Sequence, residues 1–251
     1  MSFSGSLIEI REKIIRAQRR GGFNHPVLIV AATKTHPPQF IKQAYTSGLR
    51  CIGENRVQEA EEKFSLLPNL PGLEKRMIGH LQSNKINKAI SLFDSIDSIN
   101  SLSLAEKLNI RAKNSGKTVS ILLEINTSGE ETKSGFDSQN DEEILACFEL
   151  FNIKIKGLMT VGPFVEDQKE IRHAFSLLRK KKESINRQIP GGYPKMKELS
   201  MGMSRDFEIA VEEGGTMVRL GTVLFGARRN CLLYTSPSPR DLSTSRMPSS
   251  A

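Results

Sequence analysis

The sequence predicts an α/β fold, a (β/α)8 TIM barrel with an additional N-terminal helix. Three observations carry this reading. Eight short apolar runs alternate with helical patterns along most of the 251 residues, and strands separated by helices form a parallel sheet with crossovers. Eight is also the number that closes such a sheet into a barrel. Little apolar sequence follows the eighth run, so the amphipathic segment Leu7–Arg19 is expected to cover the gap left in the outer ring. An open doubly wound sheet is the alternative.

The elements follow in order. Leu7-Ile8, Ile10 and Ile14-Ile15 recur at helical spacing, and Gly21-Gly22 ends that helix. Val27–Thr33 reads as the first buried strand. Pro37-Pro38 opens a helix that Gly48 stops. Arg50–Gly53 is the second strand and Arg56–Phe64 its helix; Pro68, Pro71 and Gly72 mark a loop. Arg76–Gly79 is the third strand, Ser83–Ile90 a helix, Leu92–Ile96 the fourth strand and Ser101–Lys113 a helix closed by Gly116. Thr118–Ile125 is a long apolar fifth strand. The polar segment Asn126–Phe136 is either an ordinary exposed loop or, by its length, a lid. Asp141-Glu142-Glu143 opens the next helix, where acids suit the helix dipole. Ile153–Thr160 is the sixth strand, and the long helix Asp167–Arg187 carries Ile171, Phe175 and Leu178 on one stripe. The seventh strand lies near Glu198–Met201, Asp206–Val211 is a short helix, and Thr216–Leu220 is the eighth strand.

Composition narrows the class. Hydrophobic residues at 38% together with 19 glycines match an ordinary globular chain and exclude a disordered or fibrous one. The longest apolar stretches, Val27–Ala32 and Val119–Leu123, are far shorter than a membrane span. The opening segment Met1–Arg20 is amphipathic and does not read as a signal peptide. Cys51, Cys147 and Cys231 are odd in number and lack metal-ligand spacing, which argues against a disulfide framework and points to the cytoplasm. The net charge is +8, yet its densest run, Arg179–Lys182, sits in a helical pattern and reads as a solvated face. With no Trp and few aromatics there is no stacking platform for nucleic acid. Residues 231–251 hold six Ser and three Pro and cannot bury a core. They read as a disordered or non-native tail, leaving residues 1–230 as one domain.

In such barrels the site lies at the C-terminal strand ends. The first strand ends Thr33-Lys34-Thr35, and alternation puts Lys34 on the face of Leu28, Val30 and Ala32. An inward lysine loses its charge readily, and a neutral amine forms a Schiff base with an aldehyde. The alternative is a strand-end lysine that reaches out to solvent. At the eighth strand, Arg219 shares a face with Met217, and Gly221-Thr222 supplies N–H groups and a hydroxyl. At the seventh, Ser204 stands at a helix start. Two N–H-rich turns at these strands form the usual barrel phosphate site. Lysine, phosphate cup and arginine together suit an aldehyde-bearing phosphorylated cofactor, and pyridoxal 5′-phosphate (PLP) fits. Arg219 then faces the pyridine nitrogen; a guanidinium only donates, so the ring stays unprotonated and is a poorer electron sink.

These stretches resemble the pyridoxal phosphate homeostasis protein family, a single-domain PLP-binding barrel similar to the N-terminal domain of alanine racemase. The matching runs include Ala31–Thr35, Gly53–Glu59, Gly79–Lys85, Glu124–Asn126, Lys133–Phe136, Gly157–Thr160, Ser200–Asp206 and Arg219–Thr222 with Phe225-Gly226. Two departures are Glu74–Met77 before Gly79-His80 and the odd tail after Arg229. The resemblance implies that Lys34 is the Schiff-base lysine, that Ser204, Gly221 and Thr222 bind phosphate, and that Arg219 meets the pyridine nitrogen. It implies that Asn55, His80 and Met159 line the ring pocket. It further implies a protein that holds PLP and supplies it to apo-enzymes, with no robust catalysis.

The competing readings are a PLP-dependent amino-acid racemase and a Schiff-base aldolase. Racemisation needs a second base. In alanine racemase that base is a tyrosine from an added domain and partner subunit, for which this chain has no room; Tyr45, Tyr193 and Tyr234 fall in a helix, a loop and the tail. Lacking that domain, the chain is expected to be a monomer. His25 and His36, beside prolines, read as turn residues, and Glu54-Asn55-Arg56 as the cap of the second helix.

Overall fold

The computed structural model describes residues 3–130 and 134–226. The predicted tail therefore lies outside the described residues. Eight parallel strands close into a barrel: β1 (Leu28–Ala32), β2 (Cys51–Glu54), β3 (Glu74–Met77), β4 (Ser95–Ile99), β5 (Val119–Asn126), β7 (Ile153–Met159), β8 (Glu198–Ser200) and β9 (Met217–Leu220). Pairing runs in that order, β4 pairs with β5, and β1 closes on β9 with Val30 opposite Arg219. A ninth strand, β6 (Phe136–Asp137), adds to the outrunning end of β5 through Ile125 and Asn126. The end of the segment expected as an exposed loop or a lid thus pairs with the sheet, and Phe136 is buried. β4 begins three residues later than expected because the preceding helix, Ile86–Leu92, absorbs Leu92.

The helices are α1 (Phe3–Gly21), α2 (Pro38–Thr46), α3 (Val57–Ser65), α4 (Ile86–Leu92), α5 (Leu102–Asn114), α6 (Asp141–Ala146), α7 (Gln168–Gln188), α8 (Phe207–Glu212) and α9 (Thr222–Phe225). The last two are too short to cover β9 and β1. α1 fills that place: Leu7, Ile10, Ile14 and Ala17, at helical spacing, pack with Phe207, Val211, Leu220 and Leu224. Each large side chain buried there contributes roughly 1.5–3 kcal/mol. No helix among the described residues is long and apolar enough to cross a membrane.

The basic run on α7 is less solvated than its sequence implies. Lys181 is buried and pairs with Asp141, and Arg179 donates to the Glu213 carbonyl at the end of α8. These contacts tie α7 to the neighbouring helices.

Inside the barrel the lower filling is ionic. Arg76 meets Asp97 at 3.1 Å, Glu198 at 2.8 Å and Glu74 at 2.9 Å. Val30, Cys51 and Met217 pack beside it. Cys51 and Cys147 are free and buried, and burial pushes the Cys147 thiol up to about 12, so neither is a ready nucleophile.

Candidate functional site

Above this plug a cavity of about 730 Å³ opens at the C-terminal strand ends, within the size range of small-molecule sites. Strand alternation sets its wall. On β1, Ile29 and Ala31 pack outward against the helices, while Val30 faces the interior and Ala32 and Lys34 line the cavity. Lys34 is half-buried there rather than turned to bulk water.

The turn carrying Lys34 is held from below. Thr35 adopts φ +63°, a strained conformation for a β-branched residue. Its N–H donates to Glu59 at 2.6 Å. The buried Lys63 ammonium donates to the Thr33 carbonyl at 2.7 Å and to Glu54 at 2.9 Å, and pairs with Glu59 at 2.6 Å. The Thr33 hydroxyl closes the ring on Glu54 at 2.6 Å. Both residues flanking Lys34 are therefore tied to α3 and the end of β2. Glu54 is fully buried within this network; it does not cap the helix, whose N-cap, Arg56, makes no side-chain capping bond.

The opposite wall comes from the turns after β8 and β9. Gly202 takes φ +86°, and a Cβ there would meet Phe207 Cα at 2.9 Å and Ala210 Cβ at 2.5 Å, so only glycine lets the turn pack on α8. Asp206 accepts from the Met203 N–H at 2.6 Å and α8 starts at Phe207, so Ser204 stays in the turn instead of opening that helix. The Ser204 hydroxyl oxygen instead accepts from the N–H groups of Gly221 and Val223, each at 3.3 Å. Two backbone donors thus converge on one oxygen beside Thr222, at the start of α9.

Arg219 stands between these walls, almost fully buried. Nη1 donates to the carbonyl and hydroxyl of Ser200 at 2.8 Å, and Nη2 to the Thr160 carbonyl at 2.7 Å. Among the described residues it has no ion pair within 4.0 Å and its Nε–H has no acceptor. Burial lowers its pKa against the opposing pull of Asp97, Asp206 and Glu124. A guanidinium stays charged under such lowering.

Of the residues singled out from the sequence, Lys34, Asn55, His80, Ser204, Arg219, Gly221 and Thr222 line this one cavity. Gly79 lets β3 reach it, since a Cβ there would meet the Asn55 carbonyl at 2.5 Å. Met159 does not line the cavity: it is buried at the end of β7. Its register partner, Glu124 of β5, lines the cavity instead. Sequence reasoning missed Glu124, although the alternation was visible: Ile121, Leu123 and Ile125 face the helices, and Leu122 and Glu124 face inward. His36 sits in the turn after β1, as its place beside Pro37 suggested, with its backbone N–H donating to the Thr33 carbonyl at 3.0 Å; what was missed is that it also lines the cavity and stacks near Phe40 and Phe225. Burial pushes the Glu124 carboxyl up to about 7, only partly offset by Arg219. Among the described residues no His, Cys, Asp and Glu cluster suits a metal ion.

Residues 7–229 match the family model described as the alanine racemase N-terminal domain. A Clostridium difficile alanine racemase shares the fold (TM-score 0.66, 17% identity), this chain spanning 58% of its length. The chain is 39% identical to the pyridoxal phosphate homeostasis protein of Aquifex aeolicus, over 89% of this chain and 97% of that one. It is 34% identical to PipY of Synechococcus elongatus, solved with PLP bound, over 90% of this chain and 100% of that chain (TM-score 0.78). With most of both chains aligned at such identity, this chain belongs to the pyridoxal phosphate homeostasis protein family.

Proposed function

We propose that this chain binds PLP in the cavity above Arg76, anchors it covalently as a Schiff base on Lys34, and supplies it to apo-enzymes without turning over a substrate of its own. The observation that carries the reading is that one cavity holds a lysine amine, a buried arginine with donor capacity to spare and a pair of converging backbone N–H groups. When bound, PLP supplies an aldehyde to a lysine amine and a phosphate to a donor cup.

The residues present fit that group. Gly221 and Val223 N–H and the Ser204 and Thr222 hydroxyls are donors suited to phosphate, and the Ser204 oxygen already sits where two N–H groups converge. Arg219 is fixed by neutral oxygens on one side and keeps Nε–H to offer. An unprotonated ring nitrogen is the acceptor it suits, and that disfavours the electron-sink chemistry of a transaminase. Asn55 and His80 stand on the wall between Lys34 and β4.

The racemase reading needs a second base on the far face of the substrate carbon. The Tyr45 hydroxyl donates to the Pro71 carbonyl at 2.9 Å, and Tyr193 borders a separate hollow beside Phe148. Neither lines the cavity; Tyr234 lies outside the described residues. The absorbance spectrum of the purified protein incubated with PLP tests the proposal. A band near the visible edge, lost in Lys34→Ala, is expected, with no sustained turnover of single L- or D-amino acids. Racemisation or transamination at enzymatic rates contradicts the carrier role; an unchanged spectrum in Lys34→Ala contradicts the anchor.

A further inference from the structure

Glu124 is a second feature of the cavity, and the functions already described do not use it. The alternation of β5 turns it inward with Leu122, while Ile121, Leu123 and Ile125 pack among the helices. Its residue exposure is 8%, it lines the cavity, and among the described residues its carboxyl makes no hydrogen bond or ion pair. A buried carboxyl without a partner is costly in either protonation state. Chains retain such a group where something outside the fold completes it, or where it merely fills space.

We propose that Glu124 is a further ligand-contacting residue, whose acidic side chain sets the pH range over which the cavity retains an anionic ligand. The inference rests on the PLP reading above and goes beyond it. As a neutral acid, Glu124 donates a hydrogen bond to a ligand oxygen. As a carboxylate, it repels a phosphate-bearing ligand in the same low-dielectric space.

The charged surroundings come from several elements. Arg219 from β9 is the group whose charge bears on Glu124 and favours its ionisation. Asp97 of β4 lies in the ionic plug and is engaged by Arg76 and Ser95. Lys34 and His36 from the end of β1, His80 after β3, Glu166 before α7, and Arg205 and Asp206 from the turn after β8 border the same cavity. From β7 the register partner is Met159, which carries no charge, and Asp137 on β6 is exposed. Burial outweighs the pull of Arg219, so the carboxyl titrates near neutrality.

The test compares wild type with Glu124→Gln, which keeps the shape and hydrogen bonding but cannot ionise. Affinities for PLP and for pyridoxine 5′-phosphate are measured at about pH 6 and about pH 8.5; the alcohol removes lysine condensation from the comparison. The ratio of wild-type to variant Kd is expected near one at the lower pH and roughly tenfold higher at the upper. Calorimetry in buffers of different ionisation enthalpy is expected to show greater proton uptake on binding near neutral pH in wild type than in Glu124→Gln, the phosphate's own protons being common to both. A constant ratio, or equal proton uptake in the two proteins, overturns the inference and makes Glu124 a space-filler. If neither protein binds either compound at any pH, the PLP reading itself falls, and the inference with it.

Discussion

Two buried arginines occupy the same barrel on different terms. Arg76, in the lower half, is saturated by Asp97, Glu198 and Glu74. Arg219, near the mouth, is held by the carbonyls of Ser200 and Thr160 and has no carboxylate within ion-pair distance among the described residues. Accordingly the guanidinium pKa is raised at Arg76 and lowered at Arg219. A charge neutralised within the fold serves the fold. A charge held rigidly by neutral oxygens, with donor capacity left over beside a cavity, is arranged for something that arrives later.

Removing each charge should separate the two roles. Arg76→Met leaves buried Asp97 uncompensated and is expected to cost about 3–5 kcal/mol in denaturant unfolding; Asp97→Asn added to it should recover part of that loss. A loss below about 1 kcal/mol would show that the ionic plug is not structural.

The pH dependence is next in size. Burial raises Glu124 to about 7 and Asp97 to about 6. Both acids bind protons more tightly folded than unfolded. Their contribution to stability is therefore fully present below the ordinary carboxylate range and is lost as pH rises to about 6 and about 7. Glu124→Gln is expected to be roughly 2–3 kcal/mol more stable than wild type at about pH 8 and equal to it at about pH 4. Parallel stability profiles for the two proteins would contradict the buried-acid assignment.

Arg219→Met leaves the Thr160 carbonyl and the Ser200 hydroxyl without that donor, while the Ser200 carbonyl keeps the Thr160 N–H; the expected cost is roughly 1–3 kcal/mol, a smaller loss than at Arg76. It should nonetheless weaken PLP binding roughly ten- to hundredfold, while Arg76→Met, assayed where it remains folded, should change affinity little. Arg219→Glu should let the ring nitrogen protonate and shift the bound cofactor's spectrum. Equal affinity losses at both arginines would erase the distinction between them.

Ser204→Ala has the smallest expected effect. Its two long hydrogen bonds contribute no more than about 1 kcal/mol to stability, and inorganic phosphate should compete with PLP several-fold less well than in wild type. Unchanged competition would move the phosphate cup elsewhere.

Much of this was legible in the sequence because period and punctuation decide it. The apolar run of β1 put Lys34 on the Val30 face, and the scarcity of apolar residues after β9 pointed to α1 as the helix that completes the ring. What escaped depended on distant partners. The Glu54–Lys63–Glu59 ring under Lys34 joins residues from β1, β2 and α3, and nothing local distinguishes it from a helix cap. Lys181 reads as one more solvated lysine until Asp141 is seen beside it. β6 is two residues long, too short to announce itself by alternation. Glu124 was visible as a pattern, but its lack of a partner becomes apparent only when the barrel closes.

The proposal stands or falls with Lys34 as the covalent anchor for PLP. Borohydride reduction of the PLP-treated protein, followed by peptide mapping, tests it most directly. One phosphopyridoxyl mass is expected on the peptide containing Lys34, absent from Lys34→Ala. A label confined to another lysine, or none at saturating cofactor, would contradict it.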